Sequence, residues 1–544
     1  MKILSSWALA GGVWLAAAAC APAAERQPLV VAAAGIGLVQ TEAGAVRGFV
    51  REGIYTYRGI PYASAARFMA PQQVAPWEGT RLALSYGNVC PQPINPQLGE
   101  PQTFIADTRF WPAAEACQNL NIWTPGVGDG KKRPVMVWLH GGGFSSGSSM
   151  ELPVYDGTNL SRKGDVVVVS INHRLNVLGF IDLSAYGSAY RQSANVGMLD
   201  IVAALRWVRD NIARFGGDPA NVTVFGQSGG GAKVANLLAS PQARGLFQKA
   251  IIQSGAPGSG FSAYADRSVA RRVAALTLRE AGIADDRADA LRTLPYDQLI
   301  AAADRAMDAV GKALQPSAPA PGRSGLNWSS VVDGEFLTEV PFATGAPEIS
   351  RGVPLLVGST LSEFQNLPNP QLRDREKWDE PEVRAYLQHA VGDKADQLMA
   401  AYRRAYPELA PRLWPLVDTR FRAGVLKTAR QKAALGDTVY CYLFAWRSPV
   451  LDYAWAAGHS SELAFVFDNG VLGAQSSGGG AEVERLTDVI SQAWINFART
   501  GNPGHSGLAP WPAFSAQNPA TMIFDSTPQV RVGHDADLIA LLGH

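Results

Sequence analysis

Asn221-Val222-Thr223-Val224-Phe225-Gly226-Gln227-Ser228-Gly229-Gly230-Gly231-Ala232 decides how this chain folds. A short β-branched run suits a strand buried on both faces, and Ala232 to Leu238 is compatible with a helix. Between them stands Gly-x-Ser-x-Gly. A sharp strand-to-helix turn strains the backbone at Ser228 and holds its hydroxyl out at the sheet edge, at a helix N-terminus that favours negative charge. Gly226 and Gly230 leave room where side chains would collide. The pentapeptide alone is common; the strand before it and the helix after it give it chemical meaning.

Outward from this turn the pattern repeats. Val135 to Leu139 reads as a strand ending in His140-Gly141-Gly142-Gly143-Phe144, and Val166 to Ile171 reads as another. Asp200 to Phe215 is helical, with Ile201, Ala204, Leu205, Val208 and Ile212 at helical spacing and Gly216-Gly217 as the stop. Strand, helix, strand, tight turn and helix in that order predict a doubly wound α/β fold with a mostly parallel sheet. Gly35 to Val50 reads as a hairpin, and Pro354 to Val357 as a later strand leading to Gly358-Ser359-Thr360-Leu361-Ser362-Glu363. Ala263 to Arg323 alternates alanine-rich helix with the Pro-rich run Gln315 to Pro321. It suits a lid or pocket wall, and equally a surface helix layer. Gly473 to Gly480 reads as a flexible loop.

A serine hydroxyl is a weak nucleophile unless a base takes its proton, and that base needs an acceptor on its other ring nitrogen. With this serine turn the partners follow in the order nucleophile, acid, histidine, which excludes His140 and His173. His389 lies in a polar helical stretch, while His505, His534 and His544 fall in terminal loops where solvation is expected. His459, in a loop after the strand-like Tyr440 to Trp446, is the base. For the acid, Glu363 at a strand end competes with Asp333 in a turn and Asp418 at a helix start. Charge developing on a carbonyl oxygen requires donors already aimed at it. The amides of Gly142 and Gly143, with Gly229 directly after the serine, are placed to supply them.

Composition sets the remaining bounds. The chain has 544 residues, 47% hydrophobic and 17% charged, with 48 basic against 47 acidic side chains. It can bury a large core, and no basic face suits nucleic acid. Residues 1–23 read as a signal peptide: Lys2, an apolar run from Trp7 to Ala19, and small residues through Ala23. The run is too short for a stable membrane span. Three small residues before Cys20 open a second reading, a lipid anchor on that cysteine. The protein is therefore expected to be exported, periplasmic or secreted, or held at the outer membrane as a lipoprotein. Residues 24–544 form one catalytic domain, as a monomer or homodimer. A bridge between Cys90 and Cys117 would stabilise by about 3 to 4 kcal/mol on loop entropy, and Cys441, in a strand-like run, is a buried free thiol.

Many signatures in order resemble the type B carboxylesterases, the family that includes the cholinesterases. They include Tyr57 to Ala63, Arg67-Phe68, Glu115-Ala116-Cys117, the His140 to Phe144 loop, Ile171 to Leu175, Phe215 to Pro219, the Ser228 turn, and Asn496 to Pro503. The resemblance implies the α/β-hydrolase fold, with large helical insertions forming a gorge or lid. It also implies a Ser, Glu, His triad at Ser228, Glu363 and His459, oxyanion donors at Gly142, Gly143 and Gly229, and a disulfide between Cys90 and Cys117. The resemblance further implies a small-molecule ester as substrate and chemistry that requires no metal and no organic cofactor. Gln227 stands where the family usually has Glu, Gly229 where it has Ala, and Leu361-Ser362-Glu363-Phe364 departs from the common acid motif. Members that serve as adhesion domains typically lose the serine, which is present here. A lipase at oil interfaces would need a broader apolar lid, and amide or carbamate hydrolysis would use the same machinery. Phe144, Trp111 and the Ala263 to Arg323 region are expected to shape the pocket.

Overall fold

A computed structural model describes residues 28–93, 100–259, 266–314, 326–365 and 374–543. The signal segment with Cys20, the run Gln315 to Pro321 and His544 lie outside them. Twelve strands form one sheet. In spatial order they are Val30–Val31, Phe49–Arg51, Ile54–Pro61, Asn119–Thr124, Val167–Ile171, Arg133–Leu139, Gly217–Gln227, Lys249–Gln253, Leu355–Thr360, Val439–Phe444, Ala520–Phe524 and Gln529–Val532. From Val167–Ile171 through Ala520–Phe524 every neighbouring pair is parallel, while the outer pairs are antiparallel. The β-branched runs explain this: Val167–Ile171, Lys249–Gln253 and Leu355–Thr360 are buried at every position, as strands covered by helices on both faces must be.

One apolar cluster includes Val137, Val169, Val224, Leu205 and Ile252. A second includes Trp138, Phe225, Ile251, Tyr442 and Trp494. Alternate residues of the same strands thus feed opposite clusters, as a period of two requires. The helix expected from Asp200 begins earlier, at Val196, and runs to Asn211. The hairpin near Gly35 appears as Leu38–Gln40 paired antiparallel with Ala45–Arg47. Gly473 to Gly480 is not wholly loop, since Ala474–Ser477 makes one helical turn. Among the described residues no helix is long and apolar enough to cross a membrane.

The cysteine pairing expected from the family resemblance is not formed. Cys90 and Cys117 are buried free thiols, as is Cys441. The Cys90 side chain hydrogen-bonds that of Cys117, which together with burial holds the Cys117 thiol well above its ordinary pKa. Cys90 Sγ also accepts from the Leu175 amide at 3.2 Å. Both sulfurs therefore serve as hydrogen-bonding groups of the core and not as a covalent link.

Candidate active site

Strand register brings the serine turn and the glycine loop together. Leu139 pairs with Gly226 on one side of the strand Gly217–Gln227, and Gln253 pairs with Gln227 on the other. The ladder extends one step further, the Ser228 amide donating to Gln253 O at 2.8 Å. The chain then reverses at Ser228, whose φ of 57° and ψ of −124° lie outside the regions open to most residues, and the helix Gly229–Ala239 begins. Only glycines allow this approach. A Cβ on Gly226 would sit 2.5 Å from the Gly230 carbonyl carbon, and one on Gly230 would sit 2.8 Å from that of Leu139.

Acid and base arrive on two loops stitched together by backbone. Leu361 donates to Phe444 O at 2.8 Å, Ser362 to Ala457 O at 3.0 Å, and His459 to Glu363 O at 2.9 Å. Glu363 is completely buried, at a positive φ of 38°. Its Oε1 accepts from the Thr360 amide at 2.8 Å, and its Oε2 accepts a short hydrogen bond from His459 Nδ1. That bond fixes the tautomer and leaves Nε2 with the lone pair. The Phe364 ring stacks on the imidazole at 4.0 Å. Nε2 accepts from the Gln227 amide nitrogen at 3.1 Å.

Asp418 and Asp333, the competing acids, do other work. Asp418 accepts from the Phe421 amide at 2.8 Å and from Gln365 at 3.0 Å; burial first, and then the charge of Glu363, push its carboxyl up to about 6. Asp333 accepts from Asn195 and from three successive backbone amides of its own turn. His389 is exposed. His534 is half-buried against Tyr406 rather than solvated.

Ser228, His459, Gly142, Gly143 and Gly229 all line one cavity of about 1150 Å³. Gly142 and Gly143 have φ of 76° and 61°, which glycine adopts without strain. Gly229 is the first residue of its helix, where the amide has no intrahelical acceptor. Phe144 lines the cavity as expected, and so do Met307 and Asp304 from the helix Tyr296–Leu314. Trp111 does not; it packs edge-on against Tyr86. A second cavity of about 260 Å³ opens on Phe364, His459 and Ser460, with Ile105, Trp455 and Leu472 on its walls.

Several buried charges at the site had no place in the sequence reading. Glu462 Oε1 accepts from Gln253 at 3.2 Å, while its Oε2 has no partner among the described residues. Burial, then the charge of Glu363, push this carboxyl up to about 7. Lys233 is fully buried beneath the glycine loop. Its sequence signal was a lone lysine among Ala232, Val234, Ala235, Leu237 and Leu238. Among the described residues no three His, Cys, Asp or Glu side chains stand together to hold a metal ion.

Known proteins resemble this chain over nearly its whole length. Residues 37–538 match the family model described as the carboxylesterase family. The para-nitrobenzyl esterase of Bacillus subtilis (strain 168) is 35% identical over 496 residues, covering 90% of this chain and 95% of that protein. The phenmedipham hydrolase of Pseudarthrobacter oxydans is 34% identical over 505 residues, covering 89% and 94%. Among solved structures, an esterase from anaerobic Clostridium hathewayi that can hydrolyze aliphatic aromatic polyesters superposes with a TM-score of 0.85. It is 39% identical and covers 94% of this chain and 99% of its own. The twelve-stranded sheet, the serine turn and these likenesses together establish that the chain belongs to the carboxylesterase family and has the α/β-hydrolase fold.

Proposed function

We propose that this carboxylesterase acts on small to medium carboxylic esters through an acyl-enzyme on Ser228. The observation that carries the reading is the buried Glu363–His459 pair opening on the same gorge as the strained Ser228 turn. Ser228 Oγ attacks the ester carbonyl while His459 Nε2 takes its proton, exchanging the Gln227 amide for the serine. Glu363 holds the imidazole in that tautomer and stabilises its cation. The oxyanion is met by the amides of Gly142, Gly143 and Gly229. The alcohol leaves with the proton from His459; water then gives its proton to His459, attacks the acyl carbon and releases the acid.

The large gorge and the smaller apolar cavity beside His459 give room for unequal acyl and alcohol groups. Export as one catalytic domain after removal of residues 1–23 belongs to the same reading, and its test is fractionation of an expressing cell. The catalytic test is hydrolysis of p-nitrophenyl butyrate by the wild type and by Ser228→Ala, with fluorophosphonate labelling of both. Activity and label lost together support the nucleophile. A variant that keeps both overturns it.

A further inference from the structure

We infer that Lys233 is a positioning residue that clamps the oxyanion loop to the nucleophile helix; the inference rests on the oxyanion roles proposed above for Gly142, Gly143 and Gly229. Lys233 lies on the helix Gly229–Ala239 and has no exposed surface. Its Nζ donates to the His140 carbonyl oxygen at 3.1 Å. The same ammonium sits over the Phe144 ring, 5.6 Å from its centroid. His140 opens the glycine loop and Phe144 closes it, so one cation grips both ends of the segment that carries two proposed donors. The third, Gly229, starts the helix from which Lys233 projects. One side chain therefore fixes the two donor-bearing segments relative to each other.

Core packing gives no reason for a lysine here. Burying an ammonium is costly unless it is paired, and among the described residues no carboxylate lies within salt-bridge reach of Nζ. An apolar residue would fill the same volume more cheaply, as Val234, Ala235, Leu237 and Leu238 do on this helix. The charge is kept where its one hydrogen bond among the described residues reaches the donor loop.

The groups around it share the enclosure. Glu151 lines the gorge; burial pushes its own carboxyl up to about 7, and once ionised its negative charge favours the protonated lysine. His140 and His173 stack at 5.0 Å. Each ring holds a backbone carbonyl through Nδ1, Gly141 O at 3.0 Å and Arg174 O at 2.8 Å. Burial, and then the Lys233 charge, hold both imidazoles well below their usual pKa, so they stay neutral. Arg174 stands behind them, paired with Asp200. Burial brings Lys233 itself down to about 7. The clamp is thus charged below neutrality and weakens above it, because a neutral amine makes the poorer hydrogen bond.

The test is Lys233→Met, which keeps the stem and removes the charge and donor, compared with wild type and Ser228→Ala. The readouts are kcat and KM across pH, melting temperature, and affinity for an aryl trifluoromethyl ketone. That inhibitor is captured when Ser228 Oγ adds to its carbonyl carbon, the serine proton passing to His459 and the new oxyanion lying among the three amides. Lys233→Met is expected to melt at or above the wild-type temperature while kcat falls about 10- to 100-fold. KM for the ester should change little, ketone affinity should fall by a factor similar to kcat, and the decline of kcat above neutrality should disappear. A folded Lys233→Met with wild-type kcat and ketone affinity overturns the clamp. If that variant fails to fold, Lys233→Gln, which keeps a donor without the charge, takes its place and is judged by the same readouts. Retention of activity by Ser228→Ala would instead overturn the catalytic reading itself, whatever Lys233 does.

Discussion

Replacing Gly229 by alanine restores the residue usual in this family, and in this chain it should damage catalysis. A Cβ built on Gly229 would lie 2.2 Å from the Gly143 carbonyl oxygen, 2.5 Å from its Cα and 2.6 Å from its carbonyl carbon. Ordinary contacts begin at 3.4 Å, so the Gly143 carbonyl would have to retreat by roughly 1.2 Å. Its chain neighbours aside, a Cβ built on Gly143 would meet only Ser145 N, at 4.0 Å, so the loop has open space on that side. The substitution therefore moves the donor loop rather than unfolding the protein. Misplacement by about 1 Å can cost about 100-fold in rate, and loss of one oxyanion donor costs about 100- to 1,000-fold.

Stability should respond little. Alanine is favoured over glycine in a helix by about 0.5–1 kcal/mol, and this gain offsets the strain of shifting the loop. Steady-state hydrolysis of p-nitrophenyl acetate and a thermal melt separate the two effects. The expected result is kcat lowered about 100-fold with the melting temperature nearly unchanged. Wild-type kcat in a folded Gly229→Ala would refute the reasoning, because it would mean that the Gly143 backbone does not need its present position against the helix.

The carboxylates make two further predictions. Glu363→Gln keeps the volume but cannot hold Nδ1–H of His459 as a charged acceptor, so kcat should fall by about 10,000-fold with KM little changed; a loss under tenfold in steady-state kinetics would remove Glu363 from the triad. Glu462→Gln tests the buried carboxyl whose folded pKa stands near 7 against an ordinary value of 4.5. The folded state binds the extra proton, so this carboxyl's contribution is whole below pH 4.5 and is lost as pH rises toward 7. The melting temperature of Glu462→Gln should therefore gain on the wild type across that interval and hold a constant lead above it. Parallel curves from pH 4 to 8 would show that Glu462 does not ionise as its burial requires.

How much of this could be read in the sequence follows from the range of each interaction. The serine turn, the glycine loop and the strands feeding them are local patterns, in which β-branched runs and glycine spacing dictate backbone shape within a few residues. Helix ends moved by a few positions, because capping competes with tertiary packing. Glu363 was harder, since nothing near it in the chain separates it from Asp333 or Asp418. Only the parallel pairing of Leu355–Thr360 with Val439–Phe444, and the bridge from Glu363 to Gly458, bring it to His459. Gln227 was legible as a departure, but its contact with the base spans 232 positions. Lys233 lies at the far end of this scale. Every residue of its helix is buried, so no amphipathic face marks the lysine as inward or outward. Its acceptor is a backbone carbonyl, to which side-chain identity gives no clue. A buried cation that bonds only to backbone leaves no partner residue in the sequence to find it by, which is why its role becomes visible only once the strands are in register.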